Sequence, residues 1–135
     1  MFSSSEGHQA YRDRQQQIAL LLQHLTLLPQ QECFPYLLSE CARNPILLRT
    51  RLVDIVQAVF HVGRQRALTV VRKTGKQWDS YQGKYSLITI NDMLATPARS
   101  DRFILFLLTC LREFNHIHSY IPEGYPFSIL RKENQ

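Results

Sequence analysis

Three cysteines in 135 residues, Cys33, Cys41 and Cys110, are too few and too unevenly spaced for a disulfide scaffold or a zinc knuckle. Their scarcity points to a reducing compartment. Five glycines and six prolines exclude a collagen-like or low-complexity chain. No apolar run approaches the roughly 18 residues of a membrane span, so no membrane partner is expected. The opening Met1-Phe2-Ser3-Ser4-Ser5-Glu6-Gly7 lacks the basic-then-apolar pattern of a secretory signal. An intracellular location is the expectation, cytoplasmic or nucleoid-associated, or nuclear in a eukaryote. A Walker loop, a Gly-rich dinucleotide motif and a nucleophile elbow are missing too, and with them the familiar signatures of nucleotide-dependent and hydrolytic enzymes.

What is present is enough for one core: 44% of the side chains are hydrophobic, in a chain of single-domain length. Their spacing is helical. Ile18, Leu21, Leu22, Leu25 and Leu28 recur at steps of three and four, predicting a helix over residues 8–28 that Pro29 bounds. Phe34, Leu37, Leu38 and Cys41 share one face of a second, short helix. Asn44-Pro45 reads as the start of a third, over residues 45–60, with Leu48, Leu52, Ile55, Val56 and Val59 as its buried stripe. His61-Val62-Gly63 interrupts the pattern, which resumes over residues 64–73 through Ala67, Leu68, Val70 and Val71, with Gly75 expected as a C-terminal cap.

Residues 76–86 read as a loop. The next stretch has two readings: a short strand over residues 85–90, or a short helix through Leu94 capped by Thr89 or Asn91. Ser100-Asp101 then opens the most hydrophobic segment, residues 103–114, apolar on nearly every side and therefore expected at the centre of the domain. The sum is an all-α single compact domain of five or six helices, with a short strand near residues 85–90 as one alternative. Residues 1–8 are expected to be a loose arm, residues 9–121 the folded body, and residues 122–135 an irregular tail. Tyr120, Tyr125 and Phe127 are expected to pack against the body.

Charge is unevenly distributed. The chain carries +5, yet between Arg49 and Lys84 eight basic residues face only Asp54 and Asp79, a local balance of +6 that leaves −1 for the rest. A solvated arginine-rich surface would also look like this, but concentration around one helix-turn-helix segment is the footprint expected where protein meets phosphate. Arg49, Arg51, Arg64, Arg66, Arg72, Lys73, Lys76 and Lys84 are the candidates.

Val56, Val59, His61, Val62, Gly63, Ala67, Val70 and Val71 place a compact turn between two apolar helices, with a small residue where the helices must approach closely. This spacing resembles the helix-hairpin-helix motif of many DNA-binding proteins, over about 16 of the 135 residues. In that family the hairpin is usually Gly, hydrophobic, Gly. Here His61 stands at the first position, while Gly63 matches the second and Ala67 the packing residue. The resemblance implies a hairpin whose backbone amides, with Arg64, Gln65 and Arg66, hold phosphates without reading bases. A conventional helix-turn-helix uses similar material. It would present Arg64, Gln65, Arg66, Thr69 and Arg72 or Lys73 to the major groove, with Gln65 and Thr69 as base readers.

Trp78, Tyr81 and Tyr85 alternate with Lys76 and Lys84 just after the patch, where Trp78 or Tyr81 would make peripheral contacts, stacking on an unpaired base, unless they only cover the core.

Catalytic signals are thin. His116 and His118 with Cys110 lack a fourth ligand at zinc spacing, and Cys33, Cys41 and Cys110 look structural. Asp54, Asp79, Asp92 and Asp101 form no carboxylate pair in sequence. No metal, cofactor or catalytic residue is expected. Double-stranded DNA is the expected partner, with RNA or single-stranded DNA as alternatives. The competing class is a helical protein-interaction module whose basic patch meets an acidic protein. The leucine stripe of the N-terminal helix would serve for homodimerisation under either reading.

Overall fold

The computed structural model describes residues 4–78, 81–94 and 99–114. The tail beyond residue 114, with Tyr120, Tyr125, Phe127, His116 and His118, lies outside the described residues, as does Asp79. Six α-helices and two short 3-10 turns make an all-α fold, without strands among the described residues.

Helix α1 (Ser4–Leu27) begins four residues before the expected start, so residues 4–8 belong to it rather than to a loose arm. Its inner stripe forms as the spacing requires: Leu21 and Leu25 are buried, with Ile18, Leu22 and Leu28 packed at the margin. Pro29, in an extended conformation, redirects the chain into α2 (Gln30–Arg43), which buries Cys33, Leu37 and Cys41. Asn44 then acts as the sequence indicates, its Oδ1 accepting the Ile46 amide at 3.3 Å ahead of Pro45.

The third predicted helix is divided. Pro45–Arg49 is a 3-10 turn, Thr50 and Arg51 are extended, and α3 starts only at Leu52 (Leu52–Phe60). The break has a tertiary cause. The Leu52 amide donates to the Ile88 carbonyl at 2.9 Å, and the Ile90 amide donates to the Thr50 carbonyl at 3.1 Å. Arg51 and Thr89 thereby form one antiparallel bridge, which an uninterrupted helix would forbid.

On the other side of that bridge, of the two readings of residues 85–94 the short strand does not form and the short helix through Leu94 does. Tyr85–Leu87 is a 3-10 turn and Asn91–Leu94 is α5. The Thr89 amide donates to Asp92 Oδ2 at 2.9 Å, so Asp92 holds the entry to α5. One bridge with no neighbouring pairs cannot propagate into a sheet.

The centre of the molecule is α3, with Leu52, Val53, Ile55, Val56, Ala58, Val59 and Phe60 all buried. This corrects the expectation for residues 103–114. Their helix, α6 (Ser100–Phe114), buries Phe106, Thr109, Cys110 and Phe114 but leaves Ile104, Leu108 and Leu111 about half exposed. Between them runs α4 (Arg64–Gln77). Gly75 sits inside α4 instead of capping it, because the Tyr85 ring lies where a side chain at 75 would be and Ile88 Cδ1 would be 3.2 Å away. The glycine serves close approach, and the helix runs on to Gln77.

Candidate nucleic-acid interface

The apolar positions of the turn segment all face inward: Val56, Val59, Ala67, Val70 and Val71 have no solvent exposure, and Val62 is half-buried. Two helices close on each other around Ala67. At the turn, His61 takes the left-handed conformation (φ 54°, ψ 44°), with its amide donating to the Gln57 carbonyl at 3.0 Å. Gly63 is extended (φ −73°, ψ 168°) and a side chain there would meet open space. The position that favours glycine is therefore the first, where the chain has histidine.

Helical geometry sorts the basic residues of α4 into distinct sets. Ala67, Val70, Val71, Thr74 and Gly75 make the buried face. Gln65, Thr69, Arg72 and Lys76, at steps of four, three and four, form the row pointing away from it, and all four are exposed. Arg72 and Lys76 have no side-chain hydrogen bond or ion pair among the described residues. The Thr69 hydroxyl donates to the Gln65 carbonyl at 3.0 Å, leaving its oxygen able to accept.

The remaining cations of α4 are engaged inside the chain. Lys73 Nζ lies 2.6 Å from Glu113 Oε1 of α6. Arg66 donates to the Glu113 carbonyl at 3.2 Å and covers the Phe114 ring at 5.0 Å. Arg64 lies 3.8 Å from Asp54 of α3. Glu113 is the partner that sequence inspection missed, because a contact spanning 40 residues leaves no local signal.

Arg49, Arg51 and Lys84 are exposed and likewise without an ion-pair partner among the described residues. The same bridge that splits the third helix carries Arg51 beside Thr89, while Tyr85 and Ile88 pack against Gly75. The start of α3, the end of α4 and the turn after Lys84 thus meet at one end of the molecule. Arg51, Lys76 and Lys84 are carried by these three segments, whereas Arg64 lies about 18 Å from Lys76 along α4.

Of the two readings of the aromatic residues, the one in which Trp78 covers the core and Tyr81 and Tyr85 sit half-buried is the one that forms. Trp78 is buried, edge-on to Tyr81 at 5.8 Å and covered by the Arg102 guanidinium at 5.1 Å. It closes the core where α4 ends and cannot stack on a base. Tyr81 is half-buried, stacked near Tyr85 at 6.0 Å, with its hydroxyl donating to the Lys84 carbonyl at 3.1 Å. Burial pushes its phenol up, and nearby Asp92 adds to this.

All three cysteines are buried and free. Burial pushes the Cys33 thiol up, the Cys41 thiol up to about 11, and the Cys110 thiol further still, so none supplies a thiolate near neutral pH. No cluster of metal-ligating side chains occurs among the described residues. Asp92 and Asp54 are committed to α5 and Arg64. No helix among the described residues is long and apolar enough to cross a membrane. No protein-family model matches the chain, and neither a curated protein nor a solved structure shows significant similarity to it.

Proposed function

We propose that the chain is a non-catalytic nucleic-acid-binding protein that holds the phosphates of duplex DNA with the outer row of α4 and the cations at its C-terminal end. The observation that carries this reading is the division of the basic residues. Arg64, Arg66 and Lys73 are held by acceptors within the chain, whereas Arg72, Lys76, Arg49, Arg51 and Lys84 have no counter-charge among the described residues. Five such cations neutralising phosphates give a salt dependence with a log-log slope of about −4.5. Gln65 and Thr69 lie in the same row as Arg72 and Lys76. With α4 in a groove, these two exposed polar side chains are the ones proposed to contact base edges.

The test compares duplex DNA, single-stranded DNA and structured RNA across a salt series, with an Arg72→Ala/Lys76→Ala variant and an Arg64→Ala/Lys73→Ala variant. Duplex affinity is expected to fall, and the slope to become shallower by about 2, in the first variant and much less in the second. Wild-type protein without salt-dependent duplex binding, or equal loss in both variants, overturns the assignment. Preference for RNA or single strands would transfer the same surface to those partners.

A further inference from the structure

The outer face of α6 is apolar where a surface helix is normally polar. Ile104, Leu108 and Leu111 are 54%, 48% and 53% exposed, and their spacing of four and three puts them in one stripe. Leu111 of the stripe and half-buried Leu107 edge a shallow hollow between α2 and α6, floored by Phe34, Phe60 and Cys110. Its volume is about 220 Å³. That is below the roughly 300 Å³ at which small-molecule pockets begin and suits an inserted side chain better than a ligand.

We infer that this stripe joins two copies of the chain through an antiparallel contact of α6 with itself. The charges at its two ends decide both the occupant and the direction. Asp101 and Arg112 are exposed and eleven residues apart, which at 100° per residue returns them to the same flank of the stripe. A two-fold contact that sets Ile104 against the partner's Leu111 brings Leu108 to the axis. It also places Asp101 within about 3 Å, along the helix axis, of the level of the partner's Arg112. The ion pair is made twice. A parallel contact would leave Asp101 about 16 Å along the axis from the level of the partner's Arg112 and form neither ion pair.

The same arrangement carries the partner's Ile104 to the mouth of the hollow beside Leu111. Asp101 has no ion-pair partner among the described residues, and Arg112 makes only a 3.3 Å hydrogen bond to Gln77 Oε1, so both are available. The α6 face is about 22 Å long and falls short of the roughly 800 Å² per partner of a standard interface, so the association is weak and concentration-dependent. None of these residues belongs to the α4 row, and the contact stands or falls separately from nucleic-acid binding.

Sedimentation velocity on the full chain up to about 1 mM is the test. Wild type is expected to pass from monomer to dimer. Leu108→Asp is expected to weaken the dissociation constant at least about tenfold, with unchanged helicity because the residue is exposed. Asp101→Arg and Arg112→Asp are each expected to weaken the dimer, and their combination to recover most of the loss. A monomer throughout the series would leave the stripe to residues 115–135 or to another protein and end the proposal. Dimerisation undiminished by Leu108→Asp, or a double charge swap no better than either single change, would overturn it equally.

Discussion

His61 and Gly75 show at single-residue scale how position, not residue type, decides what a side chain means. His61 occupies the left-handed turn that glycine would adopt without penalty, and Gly63 occupies a turn position that any residue could fill. Gly75 looks like a helix stop from its neighbours but is a contact point. Gly75→Val is therefore expected to destabilise the fold by about 2 kcal/mol or more, since the added methyls meet Tyr85 and buried Ile88. Urea denaturation measures this, and an unchanged midpoint would show that the close approach is unimportant. Cys41 supplies a second residue-scale expectation. Its thiol is pushed from 9.0 to about 11 by burial, so the folded protein resists forming the thiolate that the unfolded chain forms freely. That stability is fully present below about pH 9 and is lost as pH rises from about 9 towards 11. A Cys41→Ala variant should show a flatter alkaline decline in thermal denaturation than wild type.

At the scale of elements, α4 and α6 share Glu113, and the pairing divides the cations of α4 into internal and external sets. The Lys73–Glu113 pair is partly exposed and contributes under about 1 kcal/mol to stability. Its greater effect is on charge. Glu113→Gln is expected to release Lys73 while the Glu113 carbonyl still accepts from Arg66, so duplex affinity should rise and the salt slope steepen by about 1. Weaker binding by that variant in a fluorescence anisotropy titration would contradict the role given to α4. The end of α1 before Pro29 was legible because a proline acts locally, and the start at Asn44-Pro45 was legible because a cap is a contact between near neighbours. The division at Thr50 and Arg51 was not legible. It follows from hydrogen bonds to Ile88 and Ile90, almost forty residues away, which outcompete continuation of the helix.

For the whole molecule, the sequence by itself determined the helical class, the inward positions of α1, α3 and α4, and the concentration of basic residues between Arg49 and Lys84. Each of these depends on composition or on spacing within one turn or two. Tertiary structure alone decided which helix became the centre. α3 is the shorter segment, but α1, α2 and α4 close around it, while the longer α6 packs on one side and keeps the Ile104, Leu108 and Leu111 stripe outside. It also decided that Trp78 is core, with Arg102 covering its ring, and that the segment after Lys84 bridges to Arg51 through Thr89 while packing on the end of α4 through Tyr85 and Ile88. The physical reason is the same throughout. Periodicity specifies the face a residue occupies on its own helix, whereas exposure and charge pairing depend on what folds over that face from distant parts of the chain.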